Sequence, residues 1–419
     1  MEPCYMDKAE AKDEEDEVEH VSELSECLPF WTGGQMPFTV STKTQYATEM
    51  LCHERYDDFE TRRQMTSPKI IRSRTARFFL HGFEAIPSSY SSLDASHPWL
   101  CFWILHGLNI IGAPIPKKVA DAAISILRSC QVDSGGFGGG VGQSPHLAAT
   151  YAACMALSSI GTDEALSVID VAGIKRYLER MRQPSGAFTI SEDGEEDTRS
   201  AYCAIAVAVL LDIPLDPLFE FTAEWLMDCQ TYEGGFGAFP GSEAHGGYTY
   251  CAFASLYLLE KPFLCDLNRL TRWLVFRQMR YEGGFQGRTN KLVDSCYSFW
   301  QGAVFPLLRQ VHESLRKNDP VDIGNMLFDR TALQGYVIIC CQNIDGGFCD
   351  KPGKASDYYH ACYALAGAAV AQHSLIGDTE CIFGSEANRL QEIHPAFNLT
   401  CRSFEYAHNF FKSIKAQLK

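Results

Sequence analysis

The chain has 419 residues, of which 46% are hydrophobic and 21% are charged, an ordinary composition for a globular protein. Its formal net charge of −16 argues against nonspecific nucleic-acid binding, because binding to a phosphate backbone needs a positive surface. No apolar run is long enough to cross a bilayer. Seventeen cysteines without a signal peptide predict free thiols in a reducing compartment, so we expect a cytoplasmic protein.

The first forty residues are predicted to form a segment of their own. The tract from Asp7 to Glu26 is strongly acidic and poor in large apolar side chains. Such a tract cannot bury enough surface to offset the entropy of ordering, so residues 1–40 are predicted to be a disordered arm, with partner binding as the alternative. Residues 41–419 are predicted to form a single domain, with lead-in helices between residues 43 and 90.

An internal repeat dominates the chain from about residue 90 to residue 375. In each repeat a glutamine is followed a few residues later by a Gly-rich turn and a phenylalanine. The glutamines are Gln131, Gln183, Gln230, Gln278 and Gln342. Their regular spacing indicates an array of similar structural units.

The segments on either side of each turn predict two kinds of helix. An amphipathic run precedes each glutamine, and its apolar residues three and four positions apart indicate a half-exposed outer helix. A run with few charges follows each turn, and a helix that is apolar nearly all round is predicted to be buried. The outer runs are Lys117–Cys130, Ile174–Arg182, Leu218–Cys229, Leu267–Arg277 and Met326–Cys341. The inner runs are Trp99–Ile111, Ala152–Ile160, Ala201–Leu211, Cys251–Leu259, Phe299–Leu308 and Ala361–Ala371.

Alternating outer and inner helices predict an all-α fold that closes into an α–α barrel, or toroid, with Gly-rich turns between the helix pairs. An open superhelical solenoid is the alternative. Closure is favoured because the inner runs carry no polar face that could line an open groove. A late helical run, Cys401–Lys415, is predicted to close the array.

The repeat register places distant polar residues side by side. When the repeats are aligned on the aromatic residue that opens each inner helix, Asp294 and His360 take equivalent positions, and Cys296 lies two residues from Asp294. One carboxylate, one thiolate and one imidazole suit a zinc ion with an open fourth position, as in catalytic zinc sites. The alternative is a helix-capping aspartate, a core cysteine and a hydrogen-bonded core histidine.

Two further groups of side chains accompany this cluster. Arg288, Lys291 and His245 lie beside Gly-rich turns and helix starts, where a phosphate or diphosphate would find N–H donors and positive charge. The alternative is that the cations are solvent-exposed loop residues. Aromatic residues at the inner-helix openings predict an apolar cavity for an amphiphile with an anionic head group, with plain core packing as the alternative. These aromatic residues are Trp99, Trp103, Tyr202, Tyr248, Trp300 and Tyr359.

The repeats and three longer motifs resemble those of the protein prenyltransferase β subunits. The motifs are EAHGGYTYCAF at residues 243–253, EGGFQGRTNKLVDSCYSFWQ at residues 282–301 and DKPGKASDYYHACYALAG at residues 350–367. The resemblance implies an α–α barrel that pairs with a helical α subunit. It also implies transfer of a farnesyl group from farnesyl diphosphate to the cysteine of a C-terminal CaaX sequence, in substrates such as small GTPases.

The resemblance further implies roles for individual residues. The implied zinc ligands are Asp294, Cys296 and His360. The implied diphosphate-binding residues are His245, Arg288, Lys291 and Tyr297, with one more lysine from the α subunit. The implied isoprenoid-binding residues are Trp99, Tyr202, Tyr248, Cys251 and Trp300. The implied peptide-binding residues are Trp99, Trp103, His146, Arg199 and Tyr359, with Glu195 acting beside His146 and Arg199 through water. Lys291, Tyr297 and Asp350 are implied to be catalytic.

Three positions bear on substrate choice within this family. Trp99 lies where the geranylgeranyl-transferring members have a small residue, and its bulk would shorten the cavity to fit farnesyl. Asp350 lies where those members have a lysine, and its carboxylate would hold a magnesium ion on the diphosphate. Ala149 lies where the family pattern has a proline beside the peptide pocket, which leaves the peptide preference open.

Two other functions are compatible with helical repeats of this kind. A terpene cyclase that starts by protonation would need an aspartate cluster of the DxDD kind, and the acidic run Glu192–Asp197 does not contain one. A noncatalytic barrel that binds a protein partner would have no use for Asp294, Cys296 and His360 in one register.

Overall fold

The computed structural model describes residues 39–62, 67–84, 88–315, 327–373 and 380–417. The acidic tract expected at the start of the chain lies outside these residues. The described chain is predominantly helical, so the predicted all-α class is confirmed. Its strands, within those ranges, are one short antiparallel pair, β1 (Ile393–His394) and β2 (Leu399–Thr400).

The helices alternate between an inner and an outer layer. The chain enters through α1 (Val40–Arg62) and α2 (Arg72–Glu84). The inner helices are α3 (His97–Ile110), α5 (Leu147–Ile160), α8 (Thr198–Leu210), α10 (Gly246–Leu258), α12 (Tyr297–Trp300) with α13 (Val304–Leu315), and α15 (Tyr358–Gln372). The outer helices are α4 (Lys117–Cys130), α7 (Val171–Met181), α9 (Thr222–Asp228), α11 (Leu267–Val275) and α14 (Arg330–Gly335), which continues as a π-helical turn, Tyr336–Cys341. A short α6 (Asp163–Leu166) follows α5, and α16 (Cys401–Gln417) is the last helix.

Among the predicted helices that differ from the structure, two do so for clear local reasons. The predicted inner run Phe299–Leu308 is divided into α12 and α13, because Pro306 lacks an N–H group and its ring conflicts with the carbonyl four residues earlier, at Gly302. Helix α9 begins at Thr222 rather than Leu218, because Phe221 has a left-handed backbone with φ of 65° and interrupts the helix.

The inner helices close into a ring. Helix α3 packs on α5, α5 on α8, α8 on α10, α10 on α12, α12 on α15, and α15 packs back on α3. An open solenoid would leave its first and last repeats apart, so the closed barrel is confirmed and the solenoid is excluded. The cysteines of the inner helices, such as Cys154, Cys203 and Cys251, are fully buried free thiols that act as small core residues.

Four of the five repeated glutamines join one repeat to the next. The Gln131 side-chain oxygen accepts the backbone N–H of Asp170 at 2.9 Å, and Asp170 caps the N-terminus of α7. Gln230 and Gln278 make the same bond to Asp266 and Asp329, which cap α11 and α14. Gln342 continues the series by accepting the N–H of Ile71, just before α2. The outer layer therefore closes as well, with α2 as the outer partner of α3.

One turn of the repeat shows why its glycines are needed. Gly135 has a φ of 102°, a backbone conformation that residues with a Cβ atom rarely adopt. A Cβ atom at this position would also lie 2.0 Å from the carbonyl oxygen of Gly173 in α7. The glycine lets the turn lie directly on the outer helix.

A ladder of tyrosine hydroxyl groups closes one end of the barrel. The hydroxyl groups of Tyr151, Tyr202 and Tyr250 donate to the carbonyl oxygens of Phe397, Ala396 and Pro395, at 2.9, 3.0 and 2.8 Å respectively. The same hydroxyl groups lie 3.1–3.2 Å from one another along the ladder. Tyrosines from three successive repeats thus satisfy three successive carbonyls of the segment between β1 and β2, which forms a barrel floor.

Removal of the central hydroxyl is expected to destabilise the protein measurably. In Tyr202→Phe the carbonyl of Ala396 loses its donor in a buried place, which should lower the free energy of unfolding by about 1–3 kcal/mol. Urea unfolding followed by circular dichroism measures this change. Tyr232→Phe removes a hydroxyl from a side chain that is 89% exposed, and should leave the midpoint unchanged. Equal midpoints for all three proteins would show that the ladder does not stabilise the floor.

Within the ranges that the structure describes, no helix has both the length and the apolar character that a membrane span requires.

Candidate metal and diphosphate site

Asp294, Cys296 and His360 meet where α12 and α15 begin. Their ligand atoms, a carboxylate oxygen, a thiol sulfur and an imidazole nitrogen, all lie within 4.8 Å of one another. His360 Nε2 is 3.4 Å from Asp294 Oδ1. No other group of three or more His, Cys, Asp or Glu side chains among the described residues has a geometry that could hold a metal. The juxtaposition that the repeat register predicted is therefore present in the structure.

Backbone hydrogen bonds hold the turn that carries two of these side chains. Asp294 Oδ1 accepts the N–H of Cys296 at 2.9 Å, which fixes the carboxylate beside the thiol. The N–H of Asp294 donates to the carbonyl of Phe285, and the N–H of Ser295 donates to the carbonyl of Asp350 at 2.8 Å. The turn is thus attached both to the preceding Gly-rich loop and to the loop before α15.

Asp357 orients the histidine of the cluster. As the N-cap of α15, its Oδ1 accepts the N–H of His360, while its Oδ2 lies 2.6 Å from His360 Nδ1. A carboxylate on Nδ1 leaves Nε2 to face Asp294 and Cys296, the arrangement found around metal-bound histidines. The sequence analysis missed this residue, although its spacing of three residues before His360 is that of a cap and a third helical residue.

The electrostatics of the cluster link metal binding to the loss of protons. Burial raises the pKa of the Cys296 thiol to about 12, and the Asp294 carboxylate adds to this effect. Burial also disfavours the charged form of Asp294, but the His360 imidazole outweighs it and lowers the pKa of the carboxyl below its usual value. A thiol of this kind stays protonated at neutral pH until a metal displaces its proton. One carboxylate, one thiol and one imidazole form a donor set that fits zinc with an open position.

His245 and Tyr297 form a polar pair next to the cluster. His245 caps α10, and its Nδ1 accepts the N–H of Gly247 at 3.1 Å. Burial, reinforced by the Arg288 guanidinium, lowers the pKa of His245 to about 3, so the imidazole is neutral. The remaining nitrogen, Nε2, must then carry the proton, and it donates to the Tyr297 hydroxyl oxygen at 2.9 Å.

The two cations of the Gly-rich loop lie at its exposed side. Arg288 is half-buried and its Nη1 is 2.9 Å from Glu243 Oε2, a partner that the sequence analysis did not identify. Lys291 is exposed, and no ion pair joins it to another residue in the part of the chain that the structure describes. These side chains lie on the loop that leads to the cluster of Asp294, Cys296 and His360, here called the metal-type cluster. Positive charge and two of the cluster's side chains therefore lie on one short segment.

Aromatic side chains run from the cluster to the beginning of α3. The Trp300 indole N–H donates to the Tyr359 hydroxyl at 2.9 Å, and the Tyr359 ring lies 5.5 Å from the Trp103 ring. Trp103 stacks on Trp99 with a centroid distance of 5.7 Å. The Trp99 ring also contacts Tyr151, the first residue of the tyrosine ladder. Four of the six predicted aromatic residues thus form a continuous wall from the metal-type cluster to the barrel floor: Trp99, Trp103, Trp300 and Tyr359.

The other predicted isoprenoid-binding residues differ in their burial and in the residues that they contact. Tyr202 is 1% exposed and its hydroxyl belongs to the floor ladder. Cys251 is fully buried on α10. Tyr248 is half-buried at the start of α10, where its ring lies 5.1 Å from the His245 ring.

The predicted peptide-binding residues that carry charge form a separate group. Arg199 bonds to Asp197 and lies 3.7 Å from Glu195, and its guanidinium lies over the Tyr248 ring at 5.5 Å. His146 caps α5 by accepting the N–H of Ala148, and burial lowers the pKa of His146, against a smaller opposite effect of Glu195. Ala149 is buried on the first turn of α5.

Asp350 is paired with a lysine that the sequence analysis did not single out. Lys351 Nζ lies 2.5 Å from Asp350 Oδ2, and each side chain is 16% exposed. Asp350 Oδ1 is buried and has no hydrogen-bond partner among the described residues. An unpartnered buried carboxylate oxygen fits the expectation that this residue would contact a magnesium ion.

Comparisons with known proteins agree with the fold. The prenyltransferase alpha-alpha toroid domain matches residues 70–399. The protein farnesyltransferase subunit beta of Arabidopsis thaliana is 36% identical, over 89% of this chain and 90% of that protein. The corresponding subunit of Schizosaccharomyces pombe is 42% identical, over 68% of this chain and 74% of that protein.

Two comparisons involve proteins named for the longer prenyl group. The geranylgeranyl transferase type-1 subunit beta of Arabidopsis thaliana is 34% identical, over 67% of this chain and 80% of that protein. The solved structure of Candida albicans protein geranylgeranyltransferase-I, complexed with GGPP, has a TM-score of 0.68 and 23% identity, and covers 82% of this chain and 99% of that chain. At this identity the solved structure supports the fold alone. The chain therefore belongs to the prenyltransferase α–α toroid family, together with the β subunits of protein farnesyltransferase.

Proposed function

We propose that the chain is the catalytic β subunit of a protein farnesyltransferase. It transfers the farnesyl group of farnesyl diphosphate to the cysteine thiol of a C-terminal CaaX sequence. The observation that carries this proposal is the Asp294, Cys296 and His360 cluster beside a cationic loop and an aromatic wall. The names and extent of the related farnesyltransferase subunits support the same reaction.

The metal-type cluster is assigned to zinc. Asp294, Cys296 and His360 would hold the ion, and Asp357 would fix the imidazole. Bound zinc supplies Lewis acidity, which keeps the thiol of the substrate cysteine ionised near neutral pH. Cys296 is then a ligand and not a nucleophile, so the reaction needs no covalent enzyme intermediate.

The residues around His245 are assigned to the diphosphate. In the reaction the substrate thiolate attacks C1 of the isoprenoid, a C–S bond forms, and the C1–O bond breaks with its electron pair leaving on the diphosphate. Arg288, Lys291 and Tyr297 would stabilise the negative charge that develops there, and His245 would assist because its Nε2–H donates to the Tyr297 hydroxyl. Asp350 is assigned to a magnesium ion on the same diphosphate, since its Oδ1 is buried and unpartnered.

The aromatic wall and the group around Arg199 are assigned to the two organic substrates. The isoprenoid would be surrounded by Trp99, Tyr202, Tyr248, Cys251 and Trp300. Transfer of its apolar chain from water into this site is favourable. Trp99, Trp103, His146, Arg199 and Tyr359, with Glu195, would contact the peptide. The half-buried Tyr359 lies between both sets, because it contacts Trp300 and Trp103.

The assembly is proposed by analogy with the related subunits, and the location from the many free thiols. We infer that the chain pairs with a farnesyltransferase α subunit, which supplies a further lysine to the diphosphate, and that it works in the cytoplasm on CaaX proteins such as small GTPases. Residues 41–419 are proposed to form one domain, preceded by an acidic arm.

The decisive test is a prenylation assay on the purified heterodimer. The chain is co-expressed with a farnesyltransferase α subunit and given a CaaX peptide with either farnesyl or geranylgeranyl diphosphate. Zinc-dependent farnesylation of the peptide cysteine is expected, with farnesyl diphosphate preferred. Preferential transfer of geranylgeranyl would assign the chain to the type I geranylgeranyl enzymes. If neither prenylated product forms, the proposal is overturned.

Asp357 provides a test of the zinc assignment that does not touch a ligand. Asn caps helices as well as Asp does, so Asp357→Asn should leave stability nearly unchanged, but the neutral amide weakens the bond to His360 Nδ1. Zinc affinity is expected to fall about 10–100-fold, as for other residues that support a ligand. Competition with a chromogenic chelator measures the affinity. Asp266→Asn, at the cap of the outer helix α11, is the control and should bind zinc as the wild type does.

A further inference from the structure

Asp350 and Lys351 form an ion pair beside the metal-type cluster. The Lys351 ammonium contacts one oxygen of the Asp350 carboxylate, Oδ2, at 2.5 Å, and both side chains are largely removed from water. The second oxygen, Oδ1, is buried without a partner among the described residues. A carboxylate whose two oxygens differ in this way has one side neutralised by the lysine and one side that still lacks a donor or cation.

The backbone of Asp350 is tied to the metal-type cluster, whereas the Lys351 ammonium reaches the pair through a long side chain. The carbonyl of Asp350 accepts the N–H of Ser295 and the Tyr336 hydroxyl, both at 2.8 Å. The Ser295 hydroxyl also donates to the carbonyl of Cys349 at 2.7 Å. Ser295 lies between Asp294 and Cys296, so the Asp350 backbone is tied to the metal-type cluster. The Lys351 ammonium, in contrast, is the end of a flexible four-carbon side chain.

We propose that Lys351 is the resting counter-ion of Asp350 and competes with magnesium for its carboxylate. A lysine ammonium on Oδ2 and a divalent cation on Oδ1 would lie a few ångströms apart, and like charges at that distance in a partly buried site repel each other. The lysine must therefore turn away when magnesium arrives with the diphosphate. This inference rests on the proposed function, and it makes Lys351 the residue that sets the magnesium concentration the reaction needs.

Two opposite effects follow from removing the ammonium group. In Lys351→Met the Asp350 carboxylate is no longer neutralised, so the metal should bind more tightly, with a half-saturating concentration about tenfold lower. Without metal, the carboxylate is an uncompensated negative charge next to the departing diphosphate, so transfer should be at least about tenfold slower than in the wild type. A residue with a merely structural role would not raise the metal affinity and at the same time lower the rate of transfer without metal.

The experiment uses the heterodimer with Lys351→Met, Lys351→Arg and, as the control, Lys354→Met. Lys354 is an exposed lysine in the same turn, for which no ion pair is described. Binding of Mn²⁺ with pyrophosphate, followed by electron paramagnetic resonance, reports metal affinity without turnover. Magnesium titrations of single-turnover farnesylation report the second effect. Lys351→Arg keeps the charge and can bind the carboxylate through two N–H groups, so it should raise the half-saturating metal concentration.

The outcomes separate this inference from the proposed function. If the wild type farnesylates the peptide and Lys351→Met shows the wild-type metal affinity, the competition is refuted while the function stands. Weaker Mn²⁺ binding by Lys351→Met would also refute it, because the lysine would then assist the metal. If the wild type binds zinc but transfers no prenyl group, the proposed function fails first. Should Lys351→Met not fold, the rise expected for Lys351→Arg remains the test.

Discussion

Replacing Cys296 with alanine is expected to remove zinc from the protein and to lower farnesyl transfer by about 100-fold or more. Loss of a residue that only supports a ligand typically costs 10–100-fold in metal affinity, and loss of a ligand itself should cost at least that. The variant keeps Asp294 and His360, which lie 3.4 Å apart but offer only two donors. Without bound zinc the substrate thiol has its ordinary pKa of about 8.5 and is mostly protonated at neutral pH.

Metal analysis of the purified heterodimer measures the first effect, and steady-state peptide farnesylation measures the second. Cys154→Ala is the matched control, because Cys154 is another fully buried cysteine of the inner ring but lies away from the cluster. The two substitutions delete the same chemical group from similarly buried positions. Equal zinc content in the two variants would contradict the assignment of the site.

The two-layer architecture could be predicted from the sequence because every repeat contains one apolar run and one amphipathic run. An apolar run after each turn can only be buried, and a charged outer run must remain at the surface, so two layers result. The sequence showed that a glutamine recurs in each repeat, as at Gln131, but it did not show what the side chain binds. Only the structure shows that the amide binds the cap of the next outer helix, at Asp170, and that Gln342 closes the series at Ile71.

The barrel floor could not be predicted from periodicity. Its carbonyls come from residues 395–397, which lie outside the repeats, and a carbonyl group has no sequence signature. The tyrosines that bind them occupy positions that also suit a ligand cavity. Tyr202 thus belongs to the floor through its hydroxyl, and its predicted role in binding the isoprenoid remains a prediction.

The register predicted which side chains meet, but not which ones support them. Asp294 and His360 were paired because equivalent positions in adjacent repeats must be neighbours. Asp357, Glu243 and Lys351 were missed because their partners depend on side-chain direction rather than on helix position. Charged groups in loops are usually solvated, so sequence alone gave no reason to select Glu243 and Lys351, whereas the spacing of Asp357 before His360 was a usable signal of a helix cap.

Replacing Trp99 with threonine is expected to shift the enzyme from farnesyl towards geranylgeranyl diphosphate. Trp99 is 8% exposed, stacks on Trp103 and contacts Tyr151, so its indole lies between the aromatic wall and the floor. Deleting the indole opens space for part of one more isoprene unit of five carbons. At about 0.8 kcal/mol for each buried methylene, full burial of that unit would be worth about 4 kcal/mol.

The measured change should be smaller than this limit, since a truncated core site partly collapses and loses packing energy. We expect the ratio of kcat/KM values for the two diphosphates to change by about 10–100-fold in favour of the longer one. Trp225→Thr is the control: this tryptophan is also 8% exposed, but it lies on the outer helix α9. Both variants lose stability, whereas only Trp99→Thr should alter the ratio. An unchanged ratio in Trp99→Thr, with zinc still bound, would mean that another part of the wall sets the length of the prenyl group.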